Sequence, residues 1–217
     1  MILYDSYLWP DSAVALGVLK NKFIISLSKK LELFLYKKSY KISVVTHGLK
    51  RILDRKYNLK NKTNVVTNGV ATKLFKPIKQ NIARKKMGLP KDKFIIMYAG
   101  NHGLVYRLDL ILQCAKKLIN YKDIIFVFVG DGVEKKNLML VKNEMGLSNA
   151  IFYKSVPKIK MPLVLSCADA TILSLKRLNL FKSTLPAKLF ESMSVEKPII
   201  LSIDGEAKRL VEKARCG

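Results

Sequence analysis

No run in this sequence approaches the ~20 consecutive apolar residues that a membrane-crossing helix requires. The amino terminus carries Asp5 where a secretory leader needs a basic stretch ahead of its apolar core. The expectation is a chain that neither spans a bilayer nor is secreted. Cysteine is scarce: Cys114, Cys167 and Cys216 are odd in number, far apart and form no C-x-x-C, which excludes a disulfide framework and fits a reducing cytosol. With only two histidines beside them, a zinc site is not expected either. Acidic residues number 16 against 40 lysines and arginines, so the formal net charge is +24. Such an excess turns attention to nucleic acid or an anionic membrane surface. Yet arginine, the side chain preferred for bidentate reading of bases and phosphates, contributes only Arg51, Arg55, Arg84, Arg107, Arg177, Arg209 and Arg215. The lysines are spread along the whole chain beside apolar helix stripes, not gathered into one basic arm with interleaved aromatics. A solvated lysine surface explains the charge better, and no nucleic-acid partner is expected. The competing reading, a basic nucleic-acid-binding module, predicts salt-dependent duplex binding that survives Lys188→Ala and Glu191→Ala.

What is present is apolar content, 49% of the chain, enough for a sizeable core. From Phe94 onward short apolar runs alternate with helical patterns, as in a parallel sheet wrapped by helices. Runs at 95–98, 124–129, 150–153, 170–175 and 198–202 are continuously β-branched or aromatic, as strands buried on both faces are. Helical patterns fall between them at 108–119, 134–145, 161–166 and 186–193. The fold class expected is α/β, a doubly wound domain. Upstream, strands are expected at 44–46 and 65–67 around a helix at 49–57. Two strands are too few for an independent sheet. A lysine- and proline-bearing connection at 73–80 places the domain boundary near Phe75-Lys76-Pro77, dividing the chain into 1–75 and 76–217. The longest helical pattern, 22–40, carries Phe23, Ile24, Leu27, Leu31, Phe34 and Leu35 on one side and Lys22, Lys29, Lys30, Lys37 and Lys38 on the other. Two readings fit it: an amphipathic helix lying on an anionic membrane, or one packed on its own domain with solvated lysines.

The chemistry is concentrated at the carboxyl ends of the expected strands, where ligands bind in open α/β sheets. The segment Pro186-Ala-Lys188-Leu-Phe-Glu191 opens a helix. Its free N–H groups favour an anion, and proline suits the first helical position. Lys188 adds a full charge there. Glu191, three residues on, shares its face, where a carboxylate can accept hydrogen bonds from two neighbouring ribose hydroxyls. A solvated i,i+3 ion pair is the plainer alternative. After the strand at 95–98 comes Gly100-Asn101-His102-Gly103, whose glycines let backbone approach a ligand, with Arg107 near the start of the following helix. His102 is read either as a donor to a phosphate oxygen or as a cap on the turn. Gly130-Asp131-Gly132 follows the next strand, and Asp131 either faces the ligand or caps the helix from Glu134. Two further loops, 155–158 and 175–186, open at the same edge. Neither the dinucleotide G-x-G-x-x-G nor the Walker lysine motif is present.

Taken in order, Trp9-Pro10-Asp11-Ser12, Asn68-Gly69-Val70, Phe75-Lys76-Pro77, Tyr98-Ala-Gly-Asn-His-Gly103, Phe128-Val-Gly-Asp-Gly132, Pro186-x-Lys188-x-x-Glu191-x-Met193 and Lys197-Pro198-Ile199 resemble the retaining GT-B glycosyltransferases of family 4, or group 1. The resemblance looks strongest to the subgroup that builds capsules and O-antigens, including fucosamine transferases. It implies two facing Rossmann-like domains, with 76–217 binding the nucleotide sugar and 1–75 being the last part of an acceptor-side domain. It further implies that Gly100, Asn101, His102, Gly103 and Lys188 hold the diphosphate, with Arg107, Gly130 and Asp131 nearby and Glu191 on the ribose. The partners implied are a UDP-linked sugar donor and a glycan or polyprenyl-linked acceptor. No metal is expected, and the protein is placed in the cytoplasm at the inner face of the plasma membrane, with peripheral contact through 22–40. Two departures stand out. Many members carry a glutamate eight positions before the ribose glutamate, where this chain has Ser183. The chain also looks like a fragment, lacking the first strands of the acceptor domain and the final helices; on that reading it binds a nucleotide weakly and transfers no sugar by itself.

Overall fold

The computed structural model describes all 217 residues. They form two compact units, one comprising 1–68, 177–186 and 204–210, the other 69–176, 187–203 and 211–217. The sequence suggests a division beside Phe75. That ring is buried against Leu165 and Val195, and Ser194 Oγ donates to its carbonyl at 2.6 Å, so the second unit already begins at Gly69.

The first unit holds three parallel strands, β1 (Ile2–Asp5), β2 (Lys41–Val44) and β3 (Thr63–Val65), in that order across the sheet. Around them lie α1 (Asp11–Ala15), α2 (Lys22–Lys38) and α3 (His47–Tyr57). Two strands were legible upstream. The third, β1, is four residues at a terminus, too short an apolar run to mark a strand by itself. The other two sit two or three positions earlier than the apolar runs suggest. Thr46 is the reason at β2: it is the N-cap of α3, its Oγ1 accepting from Leu49 N at 3.0 Å, so the chain has left the strand by then. Ile42, Val44, Leu49, Leu53 and Leu59 form the core of this unit.

Helix α2 departs most from its sequence pattern. Asn21 caps it, accepting from the N–H groups of Phe23 and Ile24 at 2.9 and 3.2 Å. Its buried residues are Glu32 and Tyr36. The Tyr36 hydroxyl lies 2.5 Å from Asp5 Oδ2 and 3.1 Å from Glu32 Oε1, Tyr57 donates to the other oxygen of Glu32, and Lys56 Nζ is 3.8 Å away. Phe23, Ile24, Leu27, Leu31 and Phe34 are all exposed. The helix therefore packs on its own unit with its lysines in solvent, but through Glu32 and Tyr36, while most of its apolar stripe stays exposed.

The second unit is the doubly wound domain. Its parallel strands β4 (Phe94–Ala99), β5 (Ile124–Val129), β6 (Ala150–Tyr153), β7 (Ala170–Ser174) and β8 (Ile199–Ser202) are ordered β6-β5-β4-β7-β8. Crossovers run through α5 (Leu108–Lys117), α6 (Lys135–Glu144), α7 (Met161–Ser166) and α8 (Ala187–Ser194). Strand alternation splits the core in two. Ile96, Tyr98, Phe126 and Phe128 pack with Ile111, Leu112 and Leu138 on one face, while Ile95, Met97, Val127 and Val129 pack with Ala83, Val164 and Cys167 on the other. Each such fully buried side chain contributes roughly 1.5–3 kcal/mol.

Three helices were not marked by the sequence, the five-residue α1, α4 (Gln80–Met87) and α9 (Glu206–Ala214). In α4 the periodic signal is masked because one of its buried positions is charged. Arg84 is 4% exposed. Its guanidinium donates to the carbonyls of Cys167, Lys91 and Lys93 at 2.9 to 3.0 Å and pairs with Asp169 at 2.5 Å. Asp169 in turn accepts the Ile95 N–H at 2.6 Å. This network ties α4 and the start of β4 together at the amino edge of the sheet.

Candidate functional site

In the order β6-β5-β4-β7-β8, the chain winds outward one way from β4 and the other way from β7. The loops that follow these two strands therefore part at their carboxyl ends and leave a crevice. The glycine-rich turn after β4 lies on one side of it. Lys188, from the first turn of α8, reaches that turn.

Three of the glycines adopt a positive φ that other residues rarely do, and at two of them backbone also stands where a Cβ would be. Gly100 has φ +136°, and a Cβ on it would stand 2.4 Å from Lys188 Nζ. Gly130, with φ +151°, would place a Cβ 1.9 Å from the Gly100 carbonyl oxygen. Gly132, with φ +154°, would place one 2.4 Å from Asn101 Oδ1 and 2.6 Å from the His102 carbonyl oxygen. The loops after β4 and β5 thus touch backbone to backbone. His102 N donates to Asp131 O at 2.8 Å and Glu134 N to His102 O at 3.0 Å, which locks them in register. Gly103 adjoins the Asn101 amide.

Lys188 is half-buried. Its ammonium donates to the Tyr98 hydroxyl at 2.6 Å and lies 4.2 and 4.0 Å from the ring centres of Tyr98 and Tyr106, a cation–π arrangement. The Tyr98 hydroxyl in turn donates a hydrogen bond to the Asn101 carbonyl at 2.6 Å. Desolvation pulls the Lys188 pKa from 10.5 down to about 7, with the Glu191 carboxylate opposing the shift. Burial also pushes the Tyr98 phenol upward. The result is a chain of contacts, Lys188 to Tyr98 to Asn101, that holds the cation against the glycine turn.

His102 is fully buried and neither ring nitrogen has a partner. Its ring sits edge-on to Phe152 and Phe128, with centroids 5.9 and 6.5 Å away, and is tilted against Tyr98 at 5.8 Å. Burial first, then the charges of Lys135 and Lys188, lower its pKa to about 4, with Asp131 opposing. It is therefore a neutral imidazole at pH 7, and its side chain caps nothing. The backbone carries the turn instead. Asp131 does not cap α6 either: Oδ1 accepts the adjacent Gly132 N–H at 2.8 Å, and the first residues of α6 have no side-chain cap.

Glu191 is 9% exposed and forms an ion pair with Lys158, which also stands 5.0 Å over the Phe75 ring. Glu191 and Lys188 line one small recess together with Met97, Ala99, Thr171 and Ser192, a space of about 10 Å³, enough for roughly one water molecule. Arg107 lies apart from this pair. Its Nε bonds both oxygens of Asp109 at 3.0 and 3.1 Å, and the two flank a larger cavity of about 270 Å³ with Gly103, Glu134, Asn137 and Lys176. The structure thus groups Gly100, Asn101, His102, Gly130, Asp131 and Lys188 tightly, sets Glu191 beside Lys188, and leaves Arg107 engaged with its own helix. No group of three or more His, Cys, Asp or Glu side chains is arranged to hold a metal ion.

Four participants escape sequence reading. Tyr98 and Tyr106 look like core aromatics, Lys135 like one more surface lysine, and Lys158 like part of a basic loop. Lys135 Nζ in fact bonds the carbonyls of Gly130 and Tyr153 at 2.6 and 2.9 Å, pinning the second loop. The available signal was placement: Tyr98 lies at the carboxyl end of β4, and Tyr106, Lys135 and Lys158 lie in the segments that follow β4, β5 and β6.

Comparison with known proteins gives a consistent picture. The family model for group 1 glycosyl transferases matches residues 79–217. Over 112 residues the chain is 30% identical to WcaI of Escherichia coli (strain K12), described as a colanic acid biosynthesis glycosyl transferase; this alignment takes in 52% of the chain and 27% of WcaI. Among solved structures, WaaG, a glycosyltransferase of lipopolysaccharide biosynthesis, superposes with a TM-score of 0.81 at 14% identity, covering 100% of this chain and 60% of its own. Anabaena Alr3699/HepE, solved in complex with UDP and glucose, gives a TM-score of 0.75 at 14% identity, covering 97% of this chain and 54% of its own. The likeness establishes the α/β fold with parallel sheets common to GT-B enzymes. The chain spans just over half the length of these structures, and its alignment with WcaI takes in about a quarter of that protein.

Proposed function

The chain belongs to the group 1 glycosyltransferases, and on that premise we propose that its second unit binds the donor, a UDP-linked sugar, for transfer to a glycan or polyprenyl-linked acceptor in bacterial surface polysaccharide synthesis. The observation that carries the reading is the contact of Lys188 with Gly100, which sets an ammonium against a side-chain-free backbone turn at the crevice of the sheet. The UDP and UDP-glucose complexes of HepE support a uridine donor. WcaI and WaaG support surface polysaccharide as the product class.

The chemistry required is departure of a nucleoside diphosphate, with negative charge growing on its phosphates. Charge aimed at that position before the reaction lowers the barrier most. Lys188 supplies an ammonium, and the turn at 100–103 supplies backbone approach. The neutral His102 imidazole retains one N–H to donate if the turn opens towards a phosphate. Glu191 would exchange its ion pair with Lys158 for two ribose hydroxyls, and Arg107 would have to leave Asp109 to contribute. This reading calls for no metal, so chelation should leave donor affinity unchanged. Transfer is assigned to the whole protein, because the matched relatives are considerably longer than 217 residues.

The test is calorimetric titration of the 217-residue chain with UDP-, GDP- and ADP-sugars, alongside Lys188→Ala and Glu191→Ala. The expected result is binding of one nucleotide class, weakened at least about tenfold by Lys188→Ala. Absence of binding by every nucleotide, or binding indifferent to both substitutions, overturns the proposal.

A further inference from the structure

Lys188 and Glu191 stand three residues apart on α8, a spacing at which an ammonium and a carboxylate readily pair. They turn instead to different partners. Lys188 donates to the Tyr98 hydroxyl against the glycine turn, and Glu191 forms its ion pair with Lys158, 33 residues away in sequence. The two members of this second pair are built differently. The Glu191 side chain is 11% exposed and fixed on a helix, whereas that of Lys158 is 63% exposed. Lys158 opens a three-residue 3-10 turn, Lys158–Lys160, between β6 and α7. Its ammonium also stands 5.0 Å over the ring of the buried Phe75.

A carboxylate buried to this extent needs a partner in the free protein. Lys158 supplies it, at the group that the donor reading gives to two ribose hydroxyls. An exposed lysine surrenders rotamer freedom to hold one geometry, so such a pair is weak. It occupies the carboxylate without locking it, and of the two groups the solvent-facing lysine is the one free to swing away.

We propose that Lys158 is a competitor for the nucleotide built into the site: it closes the ribose subsite on Glu191 in the free protein, is displaced when a nucleotide sugar binds, and pairs again as the nucleoside diphosphate leaves. The inference rests on the donor reading and deepens it. It divides the ligand in two. The diphosphate, facing Lys188 and the glycine turn, binds without disturbing Lys158, whereas the ribose must break an ion pair. A bound nucleotide therefore carries a cost that a bare diphosphate does not, and that cost favours its release.

The experiment is calorimetry of the full 217-residue chain with UDP and with inorganic diphosphate, in the native form, Lys158→Met and Lys158→Arg. Methionine keeps an apolar stem over Phe75 and removes the charge. Arginine keeps the charge and pairs with a carboxylate through two N–H groups. The ratio of UDP to diphosphate affinity cancels the change in surface charge that both ligands feel. Lys158→Met should raise this ratio about threefold to fivefold, and Lys158→Arg should lower it by a similar factor. In a Glu191→Gln background neither substitution should move it, since the partner is gone. Unchanged melting curves confirm folding of these variants at a largely exposed position. Where the native chain binds UDP, a ratio unchanged or lowered by Lys158→Met, or a rise that persists with Glu191→Gln, overturns the inference and leaves the donor site standing. Absence of UDP binding by every form overturns the donor reading and this inference together.

Discussion

If Lys188 holds the donor as proposed, its held-down pKa should make binding depend on pH in a defined direction. Burial lowers this ammonium to about 7 from its ordinary 10.5, so in the free protein it is largely neutral above pH 8. A bound diphosphate restores the proton, because two negative charges beside the amine favour its charged form. Binding therefore takes up a proton above pH 7, and affinity falls as pH rises. Between pH 6 and pH 9 the protonated fraction of Lys188 drops about 100-fold, so the affinity for a sugar nucleotide should fall by up to that factor, about 3 kcal/mol. This is an upper bound, since Lys188 is only half-buried and solvent screens part of the effect. The diphosphate of a sugar nucleotide is esterified at both ends and does not titrate in this range. The groups facing Lys188 are Tyr98, Tyr106, Glu191 and His102. His102, at about 4, is silent above pH 6, and burial carries Tyr98 away from neutrality. Calorimetry of UDP-glucose binding in buffers of different ionisation enthalpy measures both the affinity and the protons taken up, which should approach one near pH 8. Lys188→Arg stays charged throughout and should flatten the profile. A flat profile in the native chain, or an unchanged slope in Lys188→Arg, refutes the reasoning. Folding follows the same linkage. The unfolded chain binds more protons between pH 7 and 10.5, so the stability tied to Lys188 is lost as pH falls through that window.

Gly130→Ala puts a methyl group into the Gly100 carbonyl and should cost about 2 kcal/mol or more, seen as a melting point at least ~5 °C lower; an unchanged melt contradicts the interlocked loops. Arg84→Met leaves the Asp169 carboxylate and three carbonyls without their donor, with an expected loss of roughly 3–5 kcal/mol in denaturant unfolding; a loss below 1 kcal/mol would mean that water replaces the guanidinium. Glu191→Gln should reduce the preference for UDP over 2′-deoxy-UDP by about tenfold while leaving affinity for inorganic diphosphate unchanged, and an equal loss for all three ligands argues against a ribose contact. Asp109→Asn frees Arg107 and should tighten diphosphate binding roughly twofold to fivefold; an unaltered affinity would place Arg107 outside the site.

The second unit was legible because its strands are buried on both faces and announce themselves as uninterrupted β-branched and aromatic runs; β5 and β6 match the expected 124–129 and 150–153. The residues of the proposed donor site stood out as types, glycines, a lysine and a carboxylate at strand ends, and the structure brings Lys188 against Gly100. Their companions did not stand out. Tyr98 alternates correctly for a core strand, and nothing in that pattern reveals that its hydroxyl bridges Lys188 and Asn101. In α4 and α2 the period misleads for a common reason. Arg84, and Glu32 with Tyr36, are buried polar groups satisfied by partners distant in sequence, and hydrophobic periodicity cannot register a buried charge. Hence α4 left no periodic signal and α2 turned its apolar face outward.

The interlocking of the turns after β4 and β5 bears on how the crevice moves. The amides of Gly100, His102 and Glu134 donate to Val129, Asp131 and His102 at 2.8, 2.8 and 3.0 Å, so neither turn can be lifted without breaking its bonds to the other. Hydrogen exchange at these amides should therefore share one opening free energy, as members of a single cooperative foldon. On the proposed reading, a phosphate arriving there would meet a cradle whose ordering entropy was already lost at folding, and its association would be spared that entropic penalty.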